Sequence, residues 1–251
     1  MPCNILKDLD MLTSRNRYVI ENDFGEHWYH VRTKWKKTTL KWYFPQATPP
    51  YVAAAEKAFD IWQQNSKFTF KRVLIPVPSP DLTITIVNEK HQFRANCQGN
   101  EYCAFNFDGP GKVLAHAYFP SGDGCIEIRF DRNERWNPNI DGIVQDTETN
   151  FFLVLAHEIG HTLGIGHGDV STAIMFPWYQ KNITMLDEDD KMALESLYGP
   201  TQKFIHNPYN EATTTTTMQP TQPPLSHQPP VMQTNICDIK APDFMFLASS
   251  P

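Results

Sequence analysis

Residues 157–177 read His-Glu-Ile-Gly-His-Thr-Leu-Gly-Ile-Gly-His-Gly-Asp-Val-Ser-Thr-Ala-Ile-Met-Phe-Pro. Within them His157, Glu158, His161, Gly164 and His167 follow the spacing H-E-x-x-H-x-x-G-x-x-H, with Met175 downstream. His157 and His161 are four positions apart, which on an α-helix puts both imidazoles on one face, one turn from each other. Two imidazoles so placed can grip one Zn²⁺. Glu158 lies beside the first of them, where a carboxylate can take a proton from a zinc-held water. Gly164 allows the chain to leave the helix through a backbone conformation that other residues resist. The turn beyond it can return His167 as third ligand. Three protein ligands leave a fourth position open, which separates a catalytic zinc from a structural one.

The motif with its later methionine is the metzincin signature, and the sequence on either side narrows it. Phe107 to Ala117, F-D-G-P-G-K-V-L-A-H-A, resembles the F-D-G-P-G-x-x-L-A-H-A stretch of matrix metalloproteinases. Ala173 to Tyr179, A-I-M-F-P-W-Y, resembles their A-L-M-Y-P-x-Y turn. Trp35 to Tyr43, Ala53 to Trp62 and Leu186 to Gly199 resemble the first strand, first helix and last helix of the same domain. Gly168 follows His167 where matrixins usually carry serine. The resemblance implies an α+β metzincin zinc-protease fold, a twisted mixed five-stranded sheet with three helices, over residues 34–199.

The residues themselves agree with such a fold. Leu40, Trp42 and Phe44 alternate, predicting a strand over 38–44. Pro49-Pro50 opens a helix whose Val52, Ala55, Ala58, Phe59 and Trp62 fall at helical spacing, so these aromatics are core residues. Runs at 68–74, 82–87, 113–118 and 126–130 read as strands. The zinc-binding helix is expected over 149–163.

The chain has 251 residues and a formal net charge of −6, with no basic stripe to suggest nucleic acid and no apolar run long enough for a membrane span. The N-terminal MPCNILKDLD has no apolar leader core, so an extracellular enzyme is expected here as a fragment or incomplete chain. Residues 1–33 read as a propeptide remnant and junction. Residues 200–232, with a threonine run and Pro220, Pro223, Pro224, Pro229 and Pro230, cannot bury a core and read as a disordered linker. Asn235-Ile236-Cys237-Asp238 resembles the opening of a haemopexin-like domain, which 233–251 would begin. Asn182-Ile183-Thr184 is an N-glycosylation sequon if the protein is secreted.

Five cysteines imply one free or externally paired thiol. Cys97 and Cys103 share a polar loop and can form a local disulfide; Cys125 with either of them is the rival pairing. Cys3 stands in Met1-Pro2-Cys3-Asn4-Ile5-Leu6-Lys7-Asp8, which resembles the P-R-C-G-x-P-D latency switch in its Pro, its Cys and a later Asp. The resemblance implies a thiolate that fills the open zinc position; an ordinary terminal cysteine is the alternative.

The resemblance implies further roles. Calcium would be held by Asp108, Asp131 and Glu134 with the carbonyls of Gly109, Gly111 and Val113, oxygen ligands of the kind the ion takes. The family's structural zinc is expected to be lost. Only His116 matches its ligands cleanly, Arg129 stands at the last histidine position, and either His91-Gln92-Phe93 lacks the aspartate or Glu101 and Cys103 replace the pair. A substrate would add as a strand to 113–118 through Leu114 and Ala115. Met175 would floor the zinc site, and Pro177 and Tyr179 would wall the S1′ pocket. The implied function is a secreted, monomeric, zinc-dependent endopeptidase of extracellular matrix proteins, subject to tissue-inhibitor-type inhibitors. An inert zinc-binding decoy would not need Glu158, and an astacin-like protease would not explain Phe107 to Gly111.

Overall fold

The computed structural model describes residues 34–88, 90, 106–120, 125–140 and 143–201, with the backbone of strands at 18–21, 27–30, 92–93, 101–102 and 244–248. Cys3, Cys97, Cys103 and Cys237 lie outside the described residues, as do His91 and residues 202–243. Cys125 is disulfide-bonded, to a partner that also lies outside them.

In chain order the elements are β1 (Tyr18–Glu21), β2 (His27–His30), β3 (Thr39–Tyr43), α1 (Pro49–Gln64), β4 (Thr69–Arg72), β5 (Leu82–Val87), β6 (Gln92–Phe93), β7 (Glu101–Tyr102), β8 (Val113–Tyr118), β9 (Ile126–Asp131), β10 (Trp136–Asn137), β11 (Thr149–Asn150), α2 (Phe151–Thr162), β12 (Ile165–Gly168), α3 (Glu188–Tyr198) and β13 (Phe244–Ala248). The main sheet has the order β13-β8-β9-β5-β3-β4. Strands β4, β3, β5 and β9 run parallel, and β8 runs antiparallel to β9. These five strands and three helices are the α+β architecture the sequence predicts; β13 is a sixth strand. The hairpin β1–β2 pairs through β2 with β12, which carries His167.

Alternation in β3 buries Leu40 and Trp42 and exposes Lys41, as a sheet covered on one face requires. Helix α1 opens on Pro49-Pro50, whose missing N–H groups would have no helical acceptor there. Its buried stripe includes Ala54, Ala55, Ala58, Phe59, Ile61 and Trp62. Phe59 stacks on Trp42 at 4.9 Å between centroids, so both are core residues as expected.

Helix α2 is buried along its whole length. It begins at Phe151, two residues later than the sequence periodicity suggests, because Asn150 caps it by accepting from the Leu153 N–H. Thr149 instead pairs with Trp136 in a short parallel ladder. A buried helix end cannot leave its last carbonyls to water. Here Trp35 Nε1 donates to the Thr162 carbonyl at 2.7 Å, and the Tyr198 hydroxyl donates to that of Leu163 at 2.7 Å. Trp62 Nε1 donates to the Ala156 carbonyl at 2.8 Å and fixes α1 against α2.

Gly160 makes this packing possible. A Cβ there would lie 2.2 Å from Met175 Sδ and 3.0 Å from Trp62 Cζ2. Gly160→Ala gains about 1 kcal/mol of helix propensity. Overpacking against two buried side chains costs about 1–3 kcal/mol on top of lost contacts. The variant is therefore expected to be less stable than the parent in urea denaturation; a higher midpoint would mean that Met175 moves aside freely.

Candidate metal centre

Helix α2 brings His157 and His161 to one face, and Gly164, at φ 96°, turns the chain out of the helix into β12. That turn returns His167, so that the ligand nitrogens of the three histidines all lie within 4.8 Å of one another. Among the described residues this is the one such cluster of metal-ligating side chains.

The tautomers are fixed by carbonyl groups, which can only accept. His157 Nδ1 donates to the Ile174 carbonyl at 2.6 Å, and His161 Nδ1 donates to that of Ile165 at 2.8 Å. Each Nε2 therefore carries a lone pair. His161 Nε2 is buried without a hydrogen-bond partner. His157 Nε2 and His167 Nε2 lie 3.3 Å apart, close to the edge of a tetrahedron with Zn–N distances of about 2.0–2.1 Å. This donor set fits zinc.

Burial also sets the charge state. His157 is pushed down to about 4 by desolvation, against the pull of its hydrogen bond to Ile174. His161 is held well below its usual value by desolvation and then by His157. Both rings are thus neutral and ready to ligate at neutral pH. Glu158, next to His157 on α2, is fully buried.

Beneath the centre, Met175 is 1% exposed. The turn that carries it is held from two sides. The Gly168 N–H donates to the Met175 carbonyl at 3.0 Å, tying the turn to β12. Asp190, in the first turn of α3, accepts from the N–H groups of Ile174, Met175 and Asp187 at 2.9, 3.0 and 2.9 Å. Burial pushes Asp190 up to about 7, although those donors favour the charged form.

A pocket beside His157 is lined by Leu153, Ile174, Phe176, Trp178, Tyr179 and Ile183, among others. Tyr179 is among the lining residues, with its hydroxyl accepting from the Asn150 N–H at 2.9 Å. Pro177 is not among the lining residues. Leu153 was not anticipated as a pocket residue, although it lies four positions before His157 and so on the same helix face.

Asp108, Asp131 and Glu134 surround a loop in which Gly109 and Gly111 have φ of 84° and 83°. The Gly111 N–H donates to Glu134 at 2.5 Å and the Val113 N–H to Asp108 at 3.4 Å. Their carboxylates do not converge as the three histidines do. Elsewhere, His116 is buried and stacks on Phe107 at 4.8 Å. Directly across the β8–β9 pair stands Arg129, which is buried, ion-paired to Glu127, and set over the Tyr118 ring at 5.6 Å. Leu114 and Ala115 lie on the end strand of the matched five, and both are buried.

The matrixin family profile matches residues 34–199. The chain is similar to matrix metalloproteinase-2 of Drosophila melanogaster, with 37% identity over 72% of this chain and 23% of that protein. It is 35% identical to karilysin of Tannerella forsythia over 77% of this chain and 37% of that protein. It is 34% identical to human matrix metalloproteinase-16 over 76% of this chain and 30% of that protein. The chain thus spans between 23% and 37% of the length of these relatives.

The histidine shifts have a definite sign. A ring whose folded pKa lies below its unfolded value of 6.5 contributes stability above that pH, which is lost as pH falls toward about 4. Asp190, raised from 3.8 to about 7, acts the other way over much of the same window, since its folded form prefers the proton. Melting curves of the metal-free chain therefore mix the two, and ring ¹⁵N shifts separate them. At about pH 5.5, below the usual histidine value, His157 and His161 are expected to be neutral; a charged ring for either would contradict the burial argument.

Proposed function

The chain belongs to the matrixin family of peptidases, and from that premise we propose that it is a zinc-dependent endopeptidase in which Glu158 is the general base. The observation that carries this is the convergence of three imidazole nitrogens, two with fixed inward lone pairs, beside a fully buried glutamate. His157, His161 and His167 would hold the ion. Bound zinc supplies a Lewis acid and lowers the pKa of water toward neutrality. Glu158 accepts the proton of the attacking water on its carboxylate and hands it to the leaving amine. Its burial excludes competing water and strengthens its field at the reacting atoms. Met175 gives the centre an apolar floor.

The substrate is an extended polypeptide that pairs with the β8 edge around Leu114 and Ala115. An apolar side chain enters the pocket beside His157, whose wall of Leu153, Ile174, Phe176 and Ile183 supports that preference. Extracellular matrix proteins are the substrate class, with tissue-inhibitor-type proteins as inhibitors and Cys3 as a latency switch. A secreted location accords with the exposed Asn182 of the sequon. No helix among the described residues is long and apolar enough to cross a membrane.

Calcium would be held by Asp108, Asp131 and Glu134 with the carbonyls of Gly109, Gly111 and Val113. Glu134 is raised by burial and then, beyond the opposing Gly111 hydrogen bond, by the charges of Asp131 and Asp108. A divalent cation there would relieve that repulsion. One zinc per chain is expected, because Arg129, directly across from His116, has no lone pair to give a metal.

Glu158→Gln keeps the three ligands and removes the base. Metal analysis is expected to return one zinc per chain for parent and variant alike, with turnover of a quenched peptide lowered about 10²-fold or more. Near-parental turnover would remove Glu158 from that role. For calcium, a site in the native state alone stabilises by about 2.7 kcal/mol at a hundred times its Kd. The melting temperature should rise through a calcium titration, and a flat response would argue against the site.

A further inference from the structure

An edge strand presents unpaired N–H and carbonyl groups to any chain that can lie alongside it. In this protein the β8 edge is taken by β13, which runs antiparallel to it. The pairs are Phe244↔Tyr118, Met245↔Ala117, Phe246↔His116 and Leu247↔Ala115, followed by Ala248↔Val113. Strand β13 also lies against α2, the helix that carries His157, Glu158 and His161. Roughly forty residues separate Thr201 from Phe244, and at up to about 3.3–3.6 Å each they could reach well beyond a domain of this size.

Resting on the endopeptidase reading above, we propose that Phe244–Ala248 is an intramolecular competitor that occupies, in cis, the strand position an extended substrate needs. Its pairing covers the full length of β8. The register favours a held competitor over a bond presented for cutting. Pairing is regular through Leu247 and then shifts, so that Ala248 faces Val113 and Leu114 is passed over. A bulge interrupts the ladder and redirects the chain. Here it falls at one of the two residues expected to hold the substrate main chain, where a scissile bond would need regular alignment. A tethered strand acts at an effective concentration on the order of millimolar, so a segment whose free peptide binds at about 0.1 mM raises the apparent KM about tenfold.

In an antiparallel pair, successive N–H groups along a strand point to opposite sides. The double variant Met245→Pro/Phe246→Pro therefore removes a donor toward β8 whichever of the two faces it. With the full chain and a quenched peptide, the variant is expected to show a KM about tenfold lower with kcat unchanged. Hydrogen exchange of the amides at 113–118 should speed up in the variant at an unchanged melting temperature. Equal KM and equal exchange in the two chains would overturn the proposal. So would a cut within 244–248 in the unaltered chain, found by mass spectrometry, because the segment would then be consumed as substrate. If neither chain cleaves any peptide, the endopeptidase reading fails, and the exchange measurement still decides whether the segment occupies β8.

Discussion

The peptide unit of Ile174 holds the site together. Its carbonyl accepts from His157 and so decides which nitrogen of that ring faces inward; its N–H donates to Asp190. One residue thus connects the zinc-binding helix, the methionine turn and the start of α3. A neutral imidazole aimed by a carbonyl is a better-defined ligand than a free one, because both tautomer and ring orientation are fixed before any ion arrives. The same turn sets Met175 beneath the centre, against Gly160, and sends Tyr179 back to the cap of α2.

Much of this was readable in the sequence wherever a local spacing carried the chemistry. The i, i+4 histidines, the glycine exit and the returning third histidine form a pattern whose geometry follows from helix period and backbone freedom alone. The strands at 82–87 and 113–118 came from their β-rich composition, and that at 38–44 from alternation. What escaped was non-local. Leu186-Asp187-Glu188-Asp189-Asp190 reads as a helix start, and Asp187 and Asp190 do form a capping box. That Asp190 also binds the turn at Ile174 and Met175 depends on a fold-back that no local pattern encodes. Leu153 shares the His157 face, yet it lines a pocket only because Phe176 to Ile183 closes over it. The pairing of β13 with β8 joins segments far apart in sequence, and its Phe-Met-Phe-Leu-Ala shows no polar alternation.

The β8–β9 pair carries its own polar arrangement. Across from His116 stands a guanidinium, ion-paired to Glu127 and seated on Tyr118. A buried cation with a carboxylate and an aromatic face around it is a self-contained arrangement. It joins strand to strand by side-chain contacts within the chain.

The enclosure of α2 has a consequence for how the protein meets its metal. In small metal-dependent domains the ion organises the chain, so much of its binding free energy is spent on folding. Here the helix that carries two ligands is packed on every side, with its terminal carbonyls taken by Trp35 and Tyr198. The ligand framework stands on hydrophobic packing rather than on the ion. Metal entry and departure become exchange at a finished surface, and the affinity of the centre can be tuned by its ligands without endangering the fold.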